Sequence, residues 1–210
     1  MEKEKILLGL RSGGSLASLS LIHTRSKLAI YYYYKKINGK RFVSPHVRPK
    51  WAENEGEIVG IFAGDGSQHH DTKGRKYQVN VHFGSRNLLY AHYVQNLFEN
   101  FFLKSFRLSD EGACLRLRME SRDIYDYFSN YRAYDPSTKH ATVQLHSTHL
   151  PGPFLLGFLR GLFDTDGFML YNTHDKSIRT TFHTSSPQLA VQVQGILSKF
   201  TILHTAYQQQ

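Results

Sequence analysis

The amino-acid sequence predicts an α+β protein of two similar halves, preceded by a basic N-terminal extension. The order helix, hairpin, helix, strand occurs twice along the chain, and both repeats begin with a glycine-rich helix that ends in Asp-Gly. The repeat is about a hundred residues long, far beyond the length of a solenoid repeat, so it predicts two halves related by a pseudo-twofold axis. The predicted boundaries are 1–50 for the extension, 51–140 for the first half and 141–210 for the second half.

Composition restricts the class of protein and its partners. Of the 210 residues, 40% are hydrophobic, which is typical of a globular chain, and 26 Lys and Arg against 17 Asp and Glu give a formal charge of +9. This balance favours a polyanionic partner. A lone Cys114 excludes an internal disulfide and a multi-cysteine zinc site. The sequence has no apolar run of the roughly 20 residues that cross a bilayer and no secretory signal pattern, so we expect a cytoplasmic or organellar protein without a membrane partner.

The N-terminal extension is basic along its length. From Lys5 to Ala52 there are ten Lys and Arg residues and no acid. This pattern favours a segment that lies against phosphates over a merely basic surface. The side chains that we nominate here for DNA contact are Arg25, Lys27, Lys40 and Arg41.

Short helices are predicted within the extension. Gly13-Gly14 breaks the helical pattern, and Ser15 and Thr24 are candidate N-caps for a second and a third helix. Three short helices with a basic third one suit a helix-turn-helix, and residues 10–34 loosely resemble the helix-turn-helix of resolvase-type proteins. Tyr31 to Tyr34 fit a strand equally well, so that alternative stays open.

Side-chain periodicity places the elements of the two halves. Tyr77 to Phe83 alternates strictly between apolar and polar side chains, as in a half-buried strand. In the first half we predict helices at 56–64, 87–102 and 123–131, and strands at 77–83, 105–108 and 114–119. In the second half we predict helices at 154–163 and 188–200, and strands at 168–173, 177–183 and 201–207.

Glycines recur at every fourth position in the first helix of each half. They are Gly56, Gly60 and Gly64 in one helix, and Gly157 and Gly161 in the other. Glycine inside a helix costs roughly 1 kcal/mol relative to alanine, so helix stability does not explain the pattern. A bare helix face does, because it lets two helices lie with their backbones nearly touching. We therefore predict that these two helices pack together, one from each half.

An aspartate stands at the end of each of these helices. Asp65 and Asp166 both precede a glycine, and either one alone would be explained as an ordinary turn acid. Together they are costly, because a helix C-terminus is already partly negative and two close carboxylates repel each other. A divalent cation removes both penalties, and carboxylates, carbonyls and water are the ligands that Mg²⁺ or Ca²⁺ takes. Such a metal beside a phosphate can support hydrolysis.

These two segments resemble the motifs of a known enzyme family. Ile58 to Gly66 (IVGIFAGDG) and Leu159 to Gly167 (LRGLFDTDG) are similar to the two motifs of the single-chain LAGLIDADG homing endonucleases, and the resemblance covers residues 55–207. It implies that the motif helices form the interface between halves of αββαβ(β)α order. It also implies that a saddle-shaped antiparallel sheet from each half sits in the major groove of DNA.

The resemblance also assigns roles to residues of the site. It implies that Asp65 and Asp166 are catalytic and bind Mg²⁺, at a site that Ca²⁺ or Mn²⁺ can also occupy, with the backbone carbonyls of Gly64 and Thr165 as additional ligands. Arg122 stands just before a short helix, where the family often has a basic residue near the scissile phosphates. Asp164 falls at the earlier acid position of the motif and is expected to matter less.

Strand parity nominates the side chains that face DNA. Amide and guanidinium groups can read base edges, and other basic groups hold phosphates. Where the family commonly has Gln, Lys or Arg at the end of the second strand, this chain has Phe83-Gly84 and His183-Thr184, so His82 and His183 are candidate substitutes. For each of these positions an ordinary solvent-facing role is the alternative. The nominated residues are Lys73, Arg75, Gln78, Asn80, His82, Arg116, Arg118, Arg179, Thr181 and His183.

The function expected from these features is site-specific cleavage of double-stranded DNA. The resemblance implies a monomer that hydrolyses one phosphodiester in each strand of a long target, with Mg²⁺, and so promotes intron or intein mobility. An RNA maturase and a non-cleaving DNA-binding regulator on the same fold are the alternatives. Aspartate at both motif ends favours the nuclease over these two.

Overall fold

The computed structural model of the protein describes residues 2–12, 14–38, 50–74, 76–135, 137–174 and 176–207. The chain forms two compact units, Met1–Arg48 (unit 1) and Pro49–Gln210 (unit 2). Each described helix of unit 2 is too short or too polar to span a bilayer, and the same holds for those of unit 1.

Unit 1 contains three helices. They are α1 (Glu2–Arg11), α2 (Leu16–Ile22) and α3 (Lys27–Asn38). Ser15 caps α2 as predicted, because its hydroxyl accepts the Ser18 amide at 3.0 Å. The third helix begins later than predicted: Thr24 has a left-handed backbone (φ 50°), and the Ser26 hydroxyl accepts the Ala29 amide instead. The strand alternative for the tyrosine run is wrong, since all four tyrosines lie in α3.

A small apolar core holds the three helices of unit 1 together. Ile6 and Leu10 of α1, Leu19 of α2, and Ile30 and Tyr34 of α3 are all buried in it. These positions recur at helical spacing, so one face of each helix points inward.

Unit 2 opens with a helix followed by a four-stranded antiparallel sheet. The sheet order is β1-β2-β4-β3. The elements of this first half are α4 (Glu53–Asp65), β1 (Gly66–Asp71), β2 (Lys76–Gly84), α5 (Leu88–Phe102), β3 (Arg107–Asp110), β4 (Cys114–Glu120) and α6 (Arg122–Ser129). Val79, Val81, Leu115 and Leu117 are buried on its inner face, as the alternating pattern predicted. The sequence did not predict β1, because its residues are polar.

Aromatic side chains fill the core of the first half. Phe62, Phe98, Phe102 and Phe128 are fully buried and in ring contact. The buried carboxylate of Glu55 fixes the start of α4. It accepts hydrogen bonds from the hydroxyls of Tyr127 at 2.7 Å and Tyr131 at 2.6 Å. It also accepts hydrogen bonds from the backbone amides of Lys50 and Trp51. An acid at a helix N-terminus is favourable, so this network orients α4.

The second half repeats the helix and the hairpin, but its hairpin is mostly exposed to solvent. A short linking region, β5 (Arg132–Ala133), α7 (Lys139–Thr142) and β6 (Gln144–Leu145), leads to α8 (Gly152–Asp166), β7 (Gly167–Asn172), β8 (Ser177–Phe182) and α9 (Pro187–Lys199). The strands β7 and β8 form a separate two-stranded sheet, and most of their side chains are exposed. The predicted strand at 201–207 is wrong: these residues are irregular and exposed, and no sheet ladder includes them among the described residues.

Candidate active site at the paired helices

The helices α4 and α8 pack backbone against backbone. A Cβ atom added to Gly56 would overlap the carbonyl oxygen of Phe154, and one on Gly60 would overlap that of Phe158. On the partner helix, a Cβ on Gly157 or Gly161 would overlap the carbonyl of Glu53 or Glu57. No side chain larger than hydrogen fits at these positions. The close packing that the glycine spacing predicted is therefore present.

This packing brings the two motif aspartates together. Asp65 is the last residue of α4 and Asp166 the last of α8. A Cβ on Gly64 would lie 3.1 Å from Oδ2 of Asp166 and would overlap the hydroxyl of Thr165. The Asp166 carboxylate thus lies against the backbone that precedes Asp65. The acids meet where the two helices end.

Both aspartates are harder to ionise here than in water, chiefly because they are partly buried. Burial, and then the charge of Asp166, raise the pKa of Asp65 from 3.8 to about 6, against the opposing effect of Lys139. Burial also raises the pKa of Asp166, again opposed by Lys139. Both shifts have the direction expected for close acids in a partly dry site. A cation placed between these groups would stabilise their charged forms.

Lys139 is a part of this site that the sequence did not predict. Its Nζ donates to the carbonyl of Gly64 at 2.7 Å and also to those of Phe62 and Gly66, so it caps the C-terminal end of α4. Burial, followed by the charge of Arg132, lowers the pKa of Lys139 from 10.5 to about 7, although both aspartates oppose this shift. The lysine belongs to the four-residue helix α7, and nothing in its local sequence pattern indicates a contact some seventy residues away.

The residues present fit a divalent cation that is completed by water and substrate. Among the described residues there is no group of three or more His, Cys, Asp or Glu side chains able to hold a metal. Two carboxylates are the usual protein share of a Mg²⁺ site that also binds phosphate oxygens. The Gly64 carbonyl already accepts from Lys139, which leaves it one lone pair for a metal. The Thr165 hydroxyl donates into its own helix, at 3.1 Å to Gly161 O and 3.0 Å to Leu162 O.

Polar candidates of the first half share one face of the sheet. Asn80 pairs with Arg118 and His82 with Arg116 across β2 and β4, and Gln78 lies on the same face. Arg116 forms an ion pair with Glu111, and Arg118 forms one with Glu120, so neither guanidinium is an isolated charge. Asn80 is buried, and its Oδ1 has no hydrogen-bond partner within the described part of the chain.

His82 lies at the end of this face nearest the acids. Its ring is 3.5 Å from the hydroxyl of Ser67, the second residue of β1. Burial and the charge of Arg116 lower its pKa, with a smaller contribution from Lys139. The histidine is therefore placed as a neutral hydrogen-bonding group beside the first helix end.

The candidates of the second half lie on the exposed hairpin. Arg179 pairs with Leu170 and Thr181 with Phe168, so this face mixes polar and apolar side chains. The backbone amide of His183 donates to the Asp166 carbonyl at 3.4 Å, and the histidine ring stacks on that of Phe168. His82 thus contacts β1 just after the end of α4, and the backbone of His183 contacts the last residue of α8.

Arg122 does not lie with the acid pair. It is the first residue of α6, with its guanidinium 5.1 Å from the centre of the Tyr77 ring and 3.9 Å from Asp126. Tyr77 is four residues along β2 from Val81, which pairs with Gly66, so about 13 Å of strand separates it from the helix end. Arg122 therefore lies near the turn of the β1–β2 hairpin, and its expected position beside the scissile phosphates stays a prediction.

The remaining nominated residues lie elsewhere. Lys73 is exposed in the turn between β1 and β2, and Lys27 is exposed at the start of α3. Arg25 is held by Glu2 through two hydrogen bonds of 2.9 Å. Lys40, Arg41 and Arg75 lie outside the described residues.

Comparison with known proteins supports the same architecture. The model of a family described as LAGLIDADG-like domain matches residues 153–210, which include the second motif. Among curated proteins none matches the chain significantly.

Solved structures of the homing endonuclease I-DmoI are similar over most of both chains. A structure of its mesophilic variants has a TM-score of 0.54 at 18% identity and covers 73% of this chain and 76% of that chain. I-DmoI in complex with DNA and Mn gives 0.52 at 17%, with 71% and 78% covered, and I-DmoI in complex with DNA and Ca gives 0.51 at 18%, with 73% and 74% covered. The α+β fold and the resemblance to single-chain LAGLIDADG homing endonucleases, both predicted from the sequence, are confirmed.

Proposed function

We propose that this chain is a single-chain endonuclease that cuts both strands of double-stranded DNA with a divalent metal. The observation that carries the proposal is the meeting of Asp65 and Asp166 at the ends of two helices packed through bare glycines. A basic chain of net charge +9 supports a nucleic-acid partner. I-DmoI, the similar protein, has been crystallised with DNA and Mn and with DNA and Ca. We infer Mg²⁺ as the metal, with Mn²⁺ and Ca²⁺ able to bind in its place.

The residues of this chain would divide the chemistry among them. Asp65 and Asp166 would hold the cation, with the carbonyls of Gly64 and Thr165 as further ligands. The bound metal would make the attacking water more acidic and neutralise charge on the phosphate. In its protonated form Lys139 places a positive charge beside the pair, which favours ionised Asp65 and would stabilise negative charge developing on a phosphate oxygen. His82 and His183 would donate hydrogen bonds to water or to phosphate.

Recognition of the target would fall to the two sheets. On the first sheet Gln78, Asn80, Arg116 and Arg118 share one face, and the exposed Arg179 and half-buried Thr181 occupy the equivalent strand of the second half. Amide and guanidinium groups in the major groove distinguish base pairs, so these side chains would read sequence. Lys73 and Arg122, at the far end of the first hairpin, would hold phosphates and position the duplex.

Since one chain supplies both aspartates, a monomer would be sufficient for cleavage. Double-strand breaks in copies of a host gene that lack the mobile element would lead to copying of an intron or intein. The monomeric state is open to measurement by sedimentation of the chain on its target duplex.

The proposal is tested by cleavage of a plasmid that carries the intronless host locus, in Mg²⁺. We expect linear product from the wild type and none from Asp65→Asn or Asp166→Asn. Asp164→Asn is the matched control, because this exposed aspartate lies two residues away on the same helix, and its cleavage rate should stay within about threefold.

Two results would overturn the nuclease proposal. One is cleavage that persists in Asp166→Asn at the wild-type rate, because the acid pair would then not be the active site. The other is tight DNA binding without cleavage at any concentration of Mg²⁺ or Mn²⁺, which would indicate a regulator. RNA binding that exceeds DNA binding would indicate a maturase.

A further inference from the structure

The turn between α2 and α3 is short and fixed by hydrogen bonds. Four residues, His23 to Ser26, join the seven-residue α2 to the twelve-residue α3. Thr24 takes the left-handed conformation that reverses the chain, and the Arg25 amide donates to the Ser20 carbonyl at 3.1 Å. The Ser20 hydroxyl donates back to the Arg25 carbonyl. The angle between the two helices is therefore set locally, as a helix-turn-helix requires.

The first helix supports this pair from behind. Leu10 of α1 shares the buried core with Leu19 of α2 and Ile30 of α3. Glu2 of α1 holds the turn through both of its carboxylate oxygens, each 2.9 Å from a nitrogen of Arg25. Arg25 thus has a structural role in the turn, and its contact with a phosphate stays a prediction.

The support leaves one face of α3 open. Leu28, Tyr32 and Lys35 are spaced as i, i+4 and i+7, so they form a stripe on the side opposite the buried Ile30 and Tyr34. Leu28 is 77% exposed and Tyr32 is 56% exposed. Such a stripe presents an apolar group, an aromatic ring and a cation, with no acid among them. Lys27 adds a second exposed cation at the start of the helix.

The charge of unit 1 indicates which kind of partner the exposed face of α3 would bind. Residues 1–48 contain ten Lys and Arg against two acids, and one of these acids is neutralised by Arg25. A helix of twelve residues is about 18 Å long and enters the major groove of B-DNA, which is about 12 Å wide. An apolar side chain there can contact a thymine methyl group, and lysines can contact phosphates or guanine.

We propose that unit 1 is a second DNA-reading module, a helix-turn-helix whose α3 enters the major groove through Leu28, Tyr32 and Lys35. The ligand is duplex DNA, read at a block of sequence separate from the one read by the sheets of unit 2. The inference goes beyond cleavage and stands whether or not the chain cuts DNA. It gives the chain a longer and more selective target than the two sheets alone.

The test selects bound duplexes from a randomised library with the full chain carrying Asp166→Asn, so that bound DNA stays intact. We expect two separate blocks of enriched sequence. Leu28→Glu should lose one block and bind the selected DNA at least about tenfold more weakly, while Arg179→Ala should weaken the other block. Lys35→Glu should weaken binding several-fold on all sequences without changing either block.

Matched controls come from the exposed side chains of α1. Leu8→Glu and Lys3→Glu make the same changes of charge on exposed helical residues outside α3. They should keep both blocks and bind within about twofold of the parent. Leu28→Ala, which adds no charge, should lose the same block as Leu28→Glu with unchanged circular dichroism.

Several outcomes would overturn the inference. One is a single enriched block in the parent chain, and another is equal selection by Leu28→Glu and Leu8→Glu. A change in oligomeric state with no change in DNA selection would mean that the apolar stripe binds protein. Should the wild type never cut DNA while the Leu28-dependent block persists, the nuclease proposal fails and this one holds.

Discussion

In the first half of unit 2, α4 leads into a four-stranded sheet with a buried inner face, whereas α8 in the second half leads into a two-stranded hairpin that is mostly exposed. Val79 and Thr180 occupy equivalent positions in the two halves. Val79 pairs with the residue two positions after Gly66, and Thr180 pairs with the residue two positions after Gly167. Val79 is buried and Thr180 is exposed. The two halves are thus more alike in the motif helices and their aspartates than in the sheets that follow these helices.

The two helix ends also differ electrostatically. Lys139 donates to three carbonyls at the end of α4, and its charge lowers the pKa of both aspartates. At the end of α8, the Phe163 carbonyl accepts the Gly167 amide and the Asp166 carbonyl accepts the His183 amide. The two ends of the candidate site are therefore not equivalent, and two DNA strands bound there would meet different surroundings.

The largest expected effect on stability comes from a substitution in the contact between α4 and α8, the feature that both halves share. Gly60→Ala should destabilise unit 2 by about 3 kcal/mol or more, because the new methyl group overlaps the Phe158 backbone, which cannot move aside. Gly195→Ala in α9 is the matched change in open space, and it should stabilise the protein by roughly 0.5–1 kcal/mol. Urea unfolding of both variants measures the difference. Equal effects would mean that the helix faces do not touch.

The pH dependence of stability sharpens the electrostatic contrast. In metal-free protein, the pKa of Asp65 is raised from 3.8 to about 6, so stability that is complete below pH 3.8 is lost as the pH rises to 6. The pKa of Lys139 is lowered from 10.5 to about 7, so stability is regained as the pH rises above 7. We expect the least stable range at pH 6–7, measured by denaturant midpoints in chelator.

Two variants separate the acidic and alkaline parts of the pH dependence of stability. Asp65→Asn should flatten the acid limb, and Lys139→Met should flatten the alkaline limb up to about pH 9, below the titration of tyrosine. Lys199→Met, at an exposed lysine that donates to the Leu150 carbonyl, should leave the curve unchanged. A stability that rises steadily from pH 4 to pH 9 would contradict both assignments. Added Mg²⁺ should raise the minimum, because it binds the ionised acids.

A smaller difference in stability is expected between equivalent substitutions in the two sheets. Val79→Ala removes two buried methyl groups and should cost about 2 kcal/mol. Thr180→Ala, at the equivalent position of the second half, should change stability by less than about 0.5 kcal/mol, because its side chain is exposed. Urea unfolding measures both variants. Equal costs would show that the second hairpin is buried in solution.

The smallest expected effect concerns Arg122. Because it lies beside Tyr77, far along the hairpin from Asp65, Arg122→Ala should change the rate of cleavage at saturating enzyme by less than about threefold. Its DNA affinity should fall modestly and depend less steeply on salt. A loss of cleavage comparable to that of Asp166→Asn would show that this arginine acts at the active site.

The sequence was informative wherever a pattern has only one local meaning. Glycine at every fourth position of a helix predicts a bare contact face, and this placed Asp65 and Asp166 together without any knowledge of the fold. Strict alternation predicted β2, since a period of two is specific to strands. Ser15, a hydroxyl at a helix start, was identified as an N-cap for a similarly local reason.

What the sequence missed depends on distant partners. Lys139 reaches the end of α4 from a four-residue helix that lies some seventy residues further along the chain. The polar strand β1 is stabilised by its ladder with β2, and Gln68 within it accepts a hydrogen bond from the buried Arg132 at 2.9 Å. Residues 201–207 have a strand-like composition, but no described strand lies beside them to pair with.

The backbone contact between α4 and α8 has a mechanical consequence. Interfaces made of side chains can shift by changing rotamers, but carbonyl oxygens pressed against glycine Cα atoms have no such freedom. In the proposed nuclease, the rigid helix pair would fix the spacing between the two positions at which DNA is cut. A bound duplex would then have to bend and adjust its groove to match, so base steps that deform easily at the centre of the target should be preferred even where no side chain touches them.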